Sequence, residues 1–100
     1  MTSTPAQVLF DVAELIEKRG HTHGDWRGNM TAAAVLWSTY IGKPIAAHDV
    51  AVMLALLKIT RMTAGEHEPD DYDDLVGYAA IAAALRRPHH TVQPPCDVEE

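Results

Sequence analysis

Apolar residues recur at helical spacing in four stretches of the chain. Val8, Leu9, Val12, Leu15 and Ile16 follow i, i+3, i+4, i+7, the pattern of one buried stripe. Ser3 or Thr4 ahead of Pro5 suits a helix start, and Gly20 suits its stop, so a first helix is expected over 4–18. Ala33, Leu36, Trp37 and Tyr40 give a second helix an inward face over 28–41, with Asn29 as candidate cap. The third, over 48–63, is the most apolar: Val50, Met53, Leu54, Leu57 and Ile59 leave it little free face and predict a central position. The fourth, over 71–86, opens on carboxylates that include Asp70 or Asp71 as N-cap. It closes on Arg86 and Arg87, a polarity that complements the helix dipole. No β-branched run alternates with polar residues between turn signals, so no strand is expected. The predicted fold is all-α, a four-helix antiparallel bundle over residues 1–88 with a disordered or irregular tail over 89–100.

Composition adds one inference to that pattern. Apolar residues make up 47% of the chain, but alanine dominates them and there is one Phe, so a monomer would have a thin core. A homo-oligomer is expected, with Ala32, Ala33 and Ala34 and the alanines from Ala79 to Ala84 permitting close helix approach. The formal charge of −6 excludes a nucleic-acid sheath, which would need a basic stripe. The lone Cys96 cannot form an internal disulfide, which suggests an intracellular, cytoplasmic protein. The first residues lack the pattern of a secretory leader, and no apolar run approaches the ~18 residues of a membrane span.

Charge is concentrated in one place. Lys58 and Arg61 lie three apart on the third helix, and Asp70, Asp71, Asp73 and Asp74 crowd the start of the fourth. An antiparallel hairpin of these helices would bring the cations to the carboxylates. One outcome is a buried salt-bridge network that fixes register, with an aspartate as helix cap. The other is a polar site, in which carboxylates hold Mg²⁺ with water while Lys58 and Arg61 face a phosphate. The stretch "HTHGDWRGN" predicts a loop in which Gly24, Asp25, Arg27, Gly28 and Asn29 either cap a helix or present N–H groups to an anion. Trp26 within it would stack a base or, as favoured here, pack. Asp11, Glu14 and Glu17 suit a solvated acidic face. His21, His23, His48, His67, His89 and His90 have no cysteine partners at zinc spacing, so no structural zinc is expected.

Two blocks together resemble a small all-helical domain family of tailed phages and prophages, of unknown function. The first is Arg19 followed by His23, Gly24 and Asp25, with Leu36 and Trp37 on the next helix. The second is Asp49, Val50, Ala51, Met53, Leu56, Leu57, Lys58 and Arg61, continued by Asp70, Asp74, Gly77 and Tyr78. The likeness covers roughly residues 8 to 85. It implies a phage accessory protein in the cytoplasm of an infected bacterium. More distantly the chain resembles the MazG-like all-α nucleotide pyrophosphohydrolases, whose carboxylates hold Mg²⁺ on a triphosphate. Asp71 and Asp74 match the second carboxylate motif of that group, whereas Lys58 and Arg61 stand where the first would be. Cations in that place suit direct phosphate binding.

The expected function is therefore binding of a nucleotide or a nucleotide-derived signal, in nucleotide metabolism or in sequestering a host-defence signal. The expected ligand-binding residues are Arg19, His23, Asp25, Asn29, Lys58, Arg61, Asp70 and Asp74. Two alternatives stand beside it: a Mg²⁺-dependent nucleoside triphosphate pyrophosphohydrolase with Asp71 and Asp74 as metal ligands, and a non-catalytic interaction module.

Overall fold

The computed structural model describes residues 3–65 and 68–87. The expected tail over 89–100, the domain boundary at 88, and His67 lie outside the described residues. Four α-helices follow in chain order: α1 Pro5–His23, α2 Trp26–Ile41, α3 Ala47–Thr63 and α4 Pro69–Arg86. Among the described residues there is no strand, and the all-α bundle expected from periodicity is what forms.

α4 is the organising element. It packs most extensively on α3 and carries α1 on another side, while α2 packs mainly on α3. Both α4 pairings run antiparallel. Along α1, Val12 and Ile16 approach Gly77, and Arg19 reaches back to Asp74. Along α3, His48 Nδ1 lies 3.4 Å from the Ala82 carbonyl oxygen and Lys58 meets Asp74.

The helix ends differ from the sequence expectation for local reasons. Gly20 does not stop α1, since a glycine inside an exposed turn costs only ~1 kcal/mol. The helix runs three residues further and ends at Gly24, whose φ of +89° is in the left-handed region. The predicted nine-residue loop thereby shrinks to Gly24 and Asp25. Asp25, not Asn29, caps α2, its Oδ2 accepting the Gly28 N–H at 2.9 Å. Between α2 and α3, Ser38 Oγ both accepts the Ile45 N–H at 2.8 Å and donates to the Ile45 carbonyl at 3.1 Å. α4 starts earlier than expected, with Glu68 rather than Asp70 or Asp71 at the cap position.

The core is small. Ala51, Ile81 and Ala82 form its centre, with Ile16, Trp26, Met30, Tyr78 and Leu85 packed around them. Among the described residues, Val50 is the largest side chain removed fully from water. Two expected inward faces are corrected here. On α2 the arc toward the core runs through Trp26, Met30, Ala34 and Trp37, leaving Leu36 and Tyr40 outside at 68% and 92% exposure. On α3 the buried arc is Ala47, Val50, Ala51, Leu54 and Lys58, so Met53, Leu57 and Ile59 are exposed. Leu9 of α1 is likewise exposed. Periodicity alone could not choose between arcs on helices that are apolar nearly all round.

Gly77 sets the spacing of α1 and α4. A β-carbon there would lie 3.6 Å from Val12 Cγ1 and 3.9 Å from Ile16 Cδ1, ordinary contact distances. Gly77→Ala is therefore expected to stabilise the fold by up to ~1 kcal/mol through helix propensity. Gly77→Leu should destabilise it by ~1–3 kcal/mol, because the larger side chain forces α1 outward. Thermal melts of the two variants moving in the same direction would contradict this packing.

Candidate functional site

Asp74 lies in the second turn of α4, where the antiparallel register of both neighbours brings cations to it. Lys58 Nζ lies 3.1 Å from Oδ2 and Arg19 Nη2 lies 3.4 Å from Oδ1. The Lys58 and Asp74 side chains are 15% and 14% exposed, whereas that of Arg19 is half exposed. The Lys58–Asp74 pair thus sits where screening is weak, while the Arg19 contact is nearer a surface ion pair worth at most ~1 kcal/mol. Three helices are tied through one carboxylate.

The remaining expected residues divide into two groups. Arg61 follows Lys58 by three residues on α3, is exposed, and makes no ion pair among the described residues. Asp70 precedes Asp74 by four residues on α4 and is exposed. The antiparallel register carries both toward the same end of the bundle, together with His23 at the end of α1. Three cations (Arg19, Lys58, Arg61) meet five carboxylates at the start of α4 (Glu68, Asp70, Asp71, Asp73, Asp74) at this end of the bundle.

Asp25 and Asn29 have local tasks. Asp25 caps α2, and Asn29 Nδ2 donates to the His23 carbonyl at 2.9 Å, joining the end of α1 to the start of α2. Asp71 is also occupied locally: only 4% exposed, its Oδ2 accepts the Glu68 N–H at 3.2 Å. The Glu68-x-x-Asp71 spacing was the sequence signal for that bond. Trp26 packs against the core, and the Arg27 guanidinium stands 4.8 Å from its ring centroid. Among the described residues no group of three or more His, Cys, Asp or Glu is arranged to hold a metal ion, and no helix is long and apolar enough to cross a membrane.

Two depressions mark the surface of α1. The larger, about 490 Å³, follows one face of that helix along Asp11, Glu14, Leu15, Glu17, Lys18 and His21. It is open, with three carboxylates among its six lining residues, and it does not include Asp74 or its cations. The smaller, about 310 Å³, is lined by Ile16, Glu17, Gly20, His21, Asp25 and Trp26, between the end of α1 and the start of α2. Like that of the larger one, its lining does not include Asp74 or its cations.

Residues 7–86 match a family described as a domain of unknown function, DUF6378. The chain is also similar to the gene 55 protein of Mycobacterium phage L5, at 34% identity over 83 residues, 81% of this chain and 53% of that protein. The gene 55 protein of Mycobacterium phage D29 is 34% identical over 79 residues, 78% of this chain and 52% of that protein. The chain therefore spans about half the length of these curated relatives. No solved structure matches it.

Proposed function

The chain belongs to the DUF6378 family, and we propose that it is a phage accessory protein that binds a nucleotide or nucleotide-derived signalling molecule through its phosphate. One observation carries this reading: Arg19 and Lys58, from different helices, are held against a single carboxylate with Arg61 one turn further along. Asp74 keeps the cations oriented and limits their mutual repulsion. The half-exposed guanidinium of Arg19 has N–H groups to spare, and Arg61 has no protein partner among the described residues. An arriving phosphate would meet charge-assisted donors that are already positioned. The groove beside Trp26 is at the lower end of small-ligand pocket volumes and sets the apolar Ile16 and Trp26 among the polar Glu17, His21 and Asp25. The mycobacteriophage relatives support the phage assignment.

The test is calorimetric titration with inorganic phosphate, nucleoside mono-, di- and triphosphates, and cyclic dinucleotides, each with and without Mg²⁺. Saturable binding without turnover is expected for at least one nucleotide. Arg61→Ala should weaken it ten- to a hundred-fold, the ~1.5–3 kcal/mol of a lost charge-assisted contact, without moving the melting temperature. Absence of binding across the panel would reject the reading. Mg²⁺-dependent release of pyrophosphate would replace it with the hydrolase alternative.

A further inference from the structure

The outer faces of α2 and α3 carry more apolar surface than a solitary domain of this size exposes. On α3, Val52, Met53, Leu56, Leu57 and Ile59 are all exposed, Leu56 by 55%. Val52, Met53, Leu56, Thr60 and Thr63 fall on one stripe of that helix, which begins at Asp49, at the spacing used where one helix docks along another. On α2 the outward stripe is Ala32, Val35, Leu36, Thr39 and Tyr40. The two helices pack on each other.

We propose that this face is covered by a second copy of the chain, in a two-fold dimer centred on α3. Area supports that occupant. At on the order of 50–100 Å² each, the eight large side chains exposed on these two faces (Val35, Leu36, Tyr40, Val52, Met53, Leu56, Leu57 and Ile59) offer roughly 400–800 Å². The largest patch on a typical monomer is ~300–600 Å², and a standard interface buries ~800 Å² per partner. The interior supports it too, because a core with Val50 as its largest fully buried side chain among the described residues leaves twelve large apolar groups exposed. Charge favours self-association over a charged partner. A two-fold contact sets each region against itself, so on a chain of formal charge −6 it is least opposed where charges are absent. No charged residue occurs from Val50 to Leu57, nor from Met30 to Gly42. The alanines expected to mediate association are partly spent inside the monomer, where Ala34 and Ala82 are buried.

Sedimentation equilibrium from about 1 to 200 μM tests this against other occupants, with helicity followed by circular dichroism. The wild-type chain should approach twice its 10.9 kDa mass. Leu56→Glu would set two carboxylates against each other near the axis and should weaken the dimer at least a hundred-fold. Leu36→Glu on α2 provides a second variant should the first fail to fold. Glu14→Lys, on the acidic face of α1, should leave the association constant unchanged. A wild-type mass of one chain at 200 μM overturns the proposal and leaves the face to a different partner. So does a dimer unaffected by the folded leucine variants, or one weakened equally by Glu14→Lys.

Discussion

Asp74→Ala is expected to lower the stability of the chain by about 3–5 kcal/mol, the cost of leaving a poorly solvated charge without its partner. Lys58 bears that cost, because its side chain is only 15% exposed and Asp74 is the carboxylate it meets. Arg19 adds little, since its half-exposed guanidinium can turn to water. For a domain whose total stability is ~5–15 kcal/mol, the change is a large fraction. The double variant Lys58→Met with Asp74→Leu should recover most of the loss, because it removes both charges and refills the volume. Urea unfolding of the singles and the double gives the coupling directly. Equal losses in Asp74→Ala and the double variant would mean that packing, not charge, holds this junction. The measurement also bears on function: if Asp74 positions phosphate-binding cations, the double variant should fold and yet fail to bind.

The fold was legible because each helix shows an apolar repeat of the right period and turn residues near its ends. Which face turned inward was less legible. α3 is apolar on nearly its whole circumference, so the sequence ranked Met53, Leu57 and Ile59 with Val50, although of these four only Val50 is buried. The excess apolar surface that caused this error is the same surface the proposed dimer would bury. At the charged site, local spacing sufficed for Lys58 and Asp74, because a hairpin joins consecutive helices. Arg19 is 55 residues from Asp74, and no spacing rule reaches that far. Its inclusion rested on resemblance alone, and only the packing of α1 on α4 supplies a physical contact. Asp25 and Asn29 were legible as polar residues near a helix start. Their hydrogen bonds were not, because they depend on α1 running through Gly20 to His23 and leaving two residues to turn the chain.

Asp71→Ala is expected to cost about 1–3 kcal/mol. The carboxylate accepts the Glu68 N–H at 3.2 Å in a nearly water-free position, and alanine would leave that donor unpaired. A further few tenths to ~1 kcal/mol of that total comes from losing a negative charge in the first turn of α4. Asp71→Asn keeps an oxygen acceptor and should lose only the charge-dependent part. The pair of variants separates two roles for one residue. A capping Asp71 leaves the wild-type melting temperature indifferent to millimolar Mg²⁺, and Asp71→Asn still binds whatever nucleotide the wild type binds. A metal-holding Asp71, paired with Asp74, would raise the melting temperature with Mg²⁺, and Asp71→Asn would abolish that rise. Burial favours the first outcome: with Oδ2 engaged by the Glu68 N–H and Asp74 shared between Lys58 and Arg19, metal binding would require breaking contacts that join three helices. Thermal melts of wild type, Asp71→Ala and Asp71→Asn, each with Mg²⁺ and with a chelator, decide between the two roles.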